Sequence, residues 1–142
     1  MAKLIPNVLK DSVQSRGEVK IFNYFKNKNE LTKDWIILHS LDIAQHRKKK
    51  RGEADFIVIV PHKGILCLEV KGASSVRRAD GKWFYGSSTK GELRSPFKQA
   101  SEAMFSIKNR LSERLPSNII PMYYSGVVFP FVDIDSPANS NE

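Results

Sequence analysis

The stretch from Gly52 to Gly72 holds the residues best suited to chemistry. Asp55 opens one apolar run, and Glu69 and Lys71 close the next. Side chains alternate between the two faces of a strand. Glu69 and Lys71 therefore point the same way, with Ile65 and Cys67, while Leu66, Leu68 and Val70 take the other face. Two charges at the end of so apolar a strand are unusual, because charged side chains are seldom buried unless paired. Between the runs, Pro61-His62-Lys63-Gly64 is turn chemistry, so the two strands form a hairpin. A three-residue loop at 61–63 sets Asp55 opposite Glu69. A neighbouring odd loop sets it opposite Lys71, and either register gathers all three side chains on one face. An even loop sets Asp55 opposite Val70, on the wrong face.

Two carboxylates held close together repel when both are ionised. A bound divalent cation removes that cost, and carboxylate oxygens suit Mg²⁺, with Mn²⁺ as a substitute. Such an ion polarises a phosphoryl group and acidifies a bound water. Lys71 beside it orients the water or stabilises charge on a pentacovalent phosphate. The set thus describes a phosphodiesterase site. A solvated Asp beside an idle Glu–Lys pair fits the same spacing, since surface ion pairs are common and contribute little.

The elements that must position these groups follow from periodicity and turn residues. Asp11 or Ser12 caps a first helix that reaches about Lys26, with Val13, Gly17, Ile21, Phe22 and Phe25 on one stripe. A short strand covers Trp35 to Leu38. The hairpin strands follow, and a smaller hairpin turns at Asp80-Gly81 within Arg77 to Tyr85. Ser95-Pro96 starts a second helix that ends near Leu115, before Pro116. Its expected inward stripe is Phe97, Ala100, Met104, Ile107, Leu111 and Leu115. A last strand, Tyr123 to Phe129, returns parallel to the sheet with that helix as crossover. The fold class is α/β, with a mixed central sheet flanked by helices. Residues 1–11 read as a leader, 12–130 as the domain, and 131–142 as a polar tail leading toward further domains.

The chain has 142 residues, 23 Lys plus Arg against 15 Asp plus Glu, and a net charge of +8. That balance favours a polyanionic partner, nucleic acid first. Arg47, Lys48, Lys49, Lys50 and Arg51 stand in a row just before the Asp55 strand, placed for salt-sensitive contacts to phosphates. Arg77, Arg78, Lys82 and Lys90 extend the basic surface. No apolar run approaches the roughly 20 residues that span a bilayer, so no membrane role is expected. The single cysteine, Cys67, cannot form an internal disulfide and points to a reducing compartment, the cytoplasm. His39, His46 and His62 show no zinc spacing, and no phosphate-binding glycine loop is present.

Asp55 followed by Glu69-Val70-Lys71 resembles the PD-(D/E)xK nuclease signature. More specifically, the chain resembles the nuclease-related domain, NERD. The marks are Gly17-Glu18, Gly52-Glu53-Ala54-Asp55, Glu69 to Gly72, Asp80-Gly81-Lys82-Trp83 and Pro96 to Gln99, in that order. Asp55 lacks the preceding proline of the broader signature. The resemblance implies a restriction-endonuclease-like αβββαβ core, Mg²⁺ use and endonuclease-like hydrolysis of DNA. It also implies a place within a larger DNA-processing protein, beside a helicase or another module, and leaves homo-oligomerisation open. Asp55 and Glu69 would be metal ligands with the Val70 carbonyl, and Lys71 the catalytic lysine. Glu18 would be an accessory carboxylate reaching the metal through water, and Gln99 a supporting polar residue. Ser15 and Glu18 also have capping-box spacing, and Gln99 falls in a first turn where a polar residue needs no special role. The alternative for the whole domain is a non-catalytic nucleic-acid-binding or regulatory module on the same fold.

Overall fold

A computed structural model describes residues 2–9, 15–27, 30–39 and 53–133 of the chain. Strand β1 (Lys3–Ile5) precedes helix α1 (Arg16–Lys26), a 3₁₀ turn (Glu30–Thr32) and β2 (Ile36–His39). The central hairpin is β3 (Phe56–Val60) and β4 (Gly64–Val70), and the small hairpin is β5 (Val76–Ala79) and β6 (Lys82–Tyr85). Helix α2 (Pro96–Arg114) then leads to β7 (Tyr123–Val128). The main sheet has five strands in the order β1-β2-β3-β4-β7. β1–β2 and β4–β7 are parallel, while β2–β3 and β3–β4 are antiparallel. This is the mixed sheet with flanking helices that the sequence implied. One edge differs, because the leader supplies β1, whose Lys3 N–H donates to the Trp35 carbonyl at 2.8 Å.

β4 lies inside the sheet, between β3 and β7, and reads almost continuously apolar, as a strand covered on both faces must. The face toward α1 holds the larger core. Phe22 and Phe25 of α1 pack there with Ile37, Phe56, Val58, Leu68 and Val70. Each buried side chain of this size contributes about 1.5–3 kcal/mol. The face toward α2 is thinner. Ala54, Cys67 and Ala103 form its buried centre, with Ile57, Met104 and Ile107 partly covered beside them.

Local chemistry sets the ends of the helices. Ser15 caps α1, accepting from the Glu18 N–H at 3.3 Å, so the described helix begins at Arg16 rather than near Asp11. Asp11, Ser12 and Val13 lie outside the described residues, as does the basic run Arg47 to Arg51. Ser95 caps α2 by accepting from the N–H groups of Phe97 and Lys98, and Pro96 occupies the first turn. Phe97, expected on the inward stripe, is half exposed, its ring 6.0 Å from that of Trp83. The centre of α2's buried face is Ala100 and Ala103 instead, because small residues let the helix approach the sheet.

Candidate functional site

The hairpin register decides the site. Val60 pairs with Gly64 and Phe56 with Leu68, leaving a three-residue loop at 61–63. His62 takes φ 62° and Gly64 φ 138° to make that turn, and a Cβ on Gly64 would lie 2.4 Å from the Met122 carbonyl oxygen. The ladder ends at that Phe56–Leu68 pair, and Asp55 lies one residue before it, in a bend. The Asp55 N–H donates to the Leu68 carbonyl at 3.0 Å, tying the residue to β4 just outside the strand. Its Oδ2 accepts from the Val70 N–H at 2.7 Å. That bond anchors the carboxylate at the residue between Glu69 and Lys71. Lys71 Nζ lies 3.6 Å from Glu69 Oε1. Asp55 and Glu69 are buried, at 3% and 4% exposure, whereas Lys71 is partly accessible. Asp55, through the Val70 N–H, and the Glu69–Lys71 pair thus lie together at the C-terminal end of β4.

Glu18 takes a different position. Its Oε2 lies 2.7 Å from His39 Nε2, and both residues are buried. His39 pairs across the sheet with Phe56, on the α1 face, with ring centroids 4.9 Å apart. The Glu18 N–H serves the Ser15 cap, while its side chain turns to β2. Among the described residues, no group of three or more His, Cys, Asp or Glu side chains is placed to hold a metal ion. Glu18 therefore does not join Asp55 and Glu69 in such a group.

The glycines of the motif have a packing reason. A Cβ on Gly17 would meet Gly72 Cα at 3.0 Å and Val70 Cγ1 at 3.1 Å. The start of α1 thus sits against the exit of β4, at the same end of the sheet as the carboxylates. Because α2 is the crossover between two parallel strands, its first turn lies at that end too. It carries Gln99, whose Oε1 is buried without a hydrogen-bond partner.

Two residues escaped the sequence reading. His39 was weighed only for zinc spacing; the available signal was a polar residue on the same strand face as buried Ile37. Tyr85 stands in the sequence only as the last residue of the small hairpin, yet its ring centroid lies 5.3 Å from Lys71 Nζ. Burial, then the charges of Glu92 and Glu69, push its hydroxyl pKa up to about 12. Cys67 is a buried free thiol, pushed up to about 11 by desolvation.

A mixed sheet of this order, with a helix on either face and an acid–acid–lysine set where its central strands end, is an α/β architecture of the restriction-endonuclease-like kind. Residues 14–130 match the family model of the nuclease-related domain, and the chain belongs to that family. No curated protein and no solved structure matches the chain. Among the described residues, no helix is long and apolar enough to cross a membrane.

Proposed function

We propose that the chain is a Mg²⁺-dependent domain that hydrolyses DNA phosphodiesters. The observation that carries this reading is the buried Asp55 carboxylate bonded to the Val70 N–H, between buried Glu69 and Lys71. Two buried carboxylates at the end of β4 offer only oxygen, which fits a hard divalent cation. Backbone N–H and C=O of one strand residue leave on the same side, so the Val70 carbonyl points to the Asp55 side and is the third candidate donor. When bound, the metal would supply Lewis-acid polarisation of the phosphate and a more acidic water.

The chain's own residues do the remainder. Asp55 and Glu69 hold negative charge at one point, and the strand backbone fixes their orientation. Lys71 carries a positive charge at the rim of the site, within reach of a phosphate oxygen. Tyr85 lies beside that ammonium and restricts where it can point, a cation–π contact worth about 0.5–2 kcal/mol. Glu18 and His39 seat the start of α1 against β2, which supports the β4 exit through the Gly17–Gly72 contact. Gln99 faces the same end of the sheet from α2, where its buried carbonyl oxygen suits a water or ammonium donor.

The test is cleavage of single-stranded, nicked and duplex DNA with Mg²⁺ or Mn²⁺, followed by calorimetric titration of the metal. Inert protein across all three substrates would sink the enzymatic reading. A second reading, a nucleic-acid-binding module without catalysis, is favoured by the pairing of Glu18 with His39 and by the lack of a three-side-chain metal group among the described residues. DNA binding with no detectable Mg²⁺ binding would select it.

A further inference from the structure

The hairpin β5–β6 leaves the Lys71 strand after Gly72 to Ser75 and is built around cations laid over aromatic rings. The Arg77 guanidinium carbon lies 4.2 Å from the Phe84 ring centroid, and that of Arg78 lies 5.7 Å from Trp83. The register explains both contacts, because Arg77 is directly opposite Phe84 and Arg78 opposite Trp83. Adjacent pairs face opposite sides of the ribbon, so each side carries a guanidinium. The turn at Asp80 and Gly81, with φ 52° and 73°, brings Lys82 onto the Arg77 side.

This ribbon is fastened rather than loose. Trp83 exchanges backbone hydrogen bonds with Glu92 at 2.7 and 2.8 Å, and the Gly86 N–H donates to the Ser75 carbonyl at 2.9 Å. Trp83 also contacts Phe97 of α2. At the base, Tyr85 lies under Lys71. Arg77, Arg78 and Lys82 are exposed, and none makes a salt bridge with an acidic side chain among the described residues.

A guanidinium resting on a ring has already lost much of its rotamer freedom, and its N–H fork matches phosphate geometry. Three exposed cations with no acidic partner among the described residues, on a fastened ribbon a few residues after Lys71, complement a polymer of regularly spaced phosphates. We propose that β5–β6 is a backbone grip for DNA: Arg77, Arg78 and Lys82 take phosphates flanking the one presented to Lys71. This rests on the nuclease reading for its choice of DNA, but its test needs no cleavage.

The experiment is fluorescence anisotropy of a labelled duplex and a labelled single strand over a salt series in EDTA. The full chain is compared with the variant Arg77→Gln/Arg78→Gln/Lys82→Gln. The grip predicts at least about a tenfold loss of affinity and a log–log salt slope shallower by about 2–3 on duplex DNA. Unchanged affinity and slope overturn it, and do so even if the variant still cleaves DNA with Mg²⁺. Wild type that binds through the ribbon yet never cleaves keeps the grip and sinks the nuclease reading. Should the triple variant fail to fold, each single substitution is expected to remove about 0.9 from the slope. Ribbon-dependent binding to phosphatidylserine vesicles, with none to DNA, also overturns the proposal.

Discussion

The two faces of the central sheet each bury acidic chemistry, but they use it differently. On the α1 face, Glu18 and His39 form a close pair within the larger apolar core. Where β4 ends, the Asp55 carboxylate accepts from the Val70 N–H and Glu69 lies beside Lys71, and the core on the α2 face has a buried centre of only Ala54, Cys67 and Ala103. The first arrangement joins an acceptor to a donor and reads as a structural clasp. The second leaves each carboxylate on a local partner, a strand N–H for Asp55 and the neighbouring lysine for Glu69.

The comparison breaks first at Lys71 and Asp55. Lys71→Ala and Asp55→Asn are each expected to lower Mg²⁺-dependent cleavage by at least about 10³-fold, equivalent to about 4 kcal/mol. Asparagine retains an oxygen to accept the Val70 N–H, so thermal unfolding should shift little. An active Asp55→Asn enzyme would show that the α2-face acids are not the working pair.

His39→Ala tests the other face. Removing one partner of a buried pair leaves the other uncompensated, so urea unfolding should show a loss of about 3 kcal/mol. Its effect on Mg²⁺ affinity should be small as long as the domain stays folded. Glu18→Gln retains hydrogen-bonding capacity, and its stability cost should be nearer 1 kcal/mol. A tenfold loss of Mg²⁺ affinity in Glu18→Gln, measured by calorimetry, would erase the distinction and make Glu18 part of the metal site.

The smallest effect concerns pH. Burial raises the Cys67 thiol from 9.0 to about 11. A raised folded-state pKa means that the stabilisation is complete below about pH 9 and is lost as pH climbs through 11. Tyr85, raised from 10.0 to about 12, acts in the same direction one step higher. The urea midpoint should therefore decline between pH 9 and 11, and Cys67→Ala should flatten the first part of that decline.

Much of this arrangement was legible residue by residue. The end of α1 at Lys26, the Ser95 cap of α2, the Asp80-Gly81 turn and the parallel return of β7 all follow from local signals that tertiary contacts did not override. Less legible was β1, because three residues carry too little pattern to reveal a strand that exists only by pairing with β2. Phe97 misled for a related reason. Helical spacing identifies a stripe, but the sheet selected Ala100 and Ala103 for close approach and left Phe97 to the small hairpin.

Alternation along β4 was enough to put Glu69 and Lys71 on one side, but the approach of Asp55 depended on the loop at 61–63 and on the bend that lets its carboxylate take the Val70 N–H. Which sheet face Glu18 would reach, and that His39 would receive it, depended on how α1 docks. Nothing in local sequence encodes the partner of a side chain 21 positions away. The seat of the small hairpin at Lys71 was likewise settled by packing, through the Tyr85 ring and the Trp83 contacts. Short-range geometry set Glu69 beside Lys71, and long-range burial chose their neighbours.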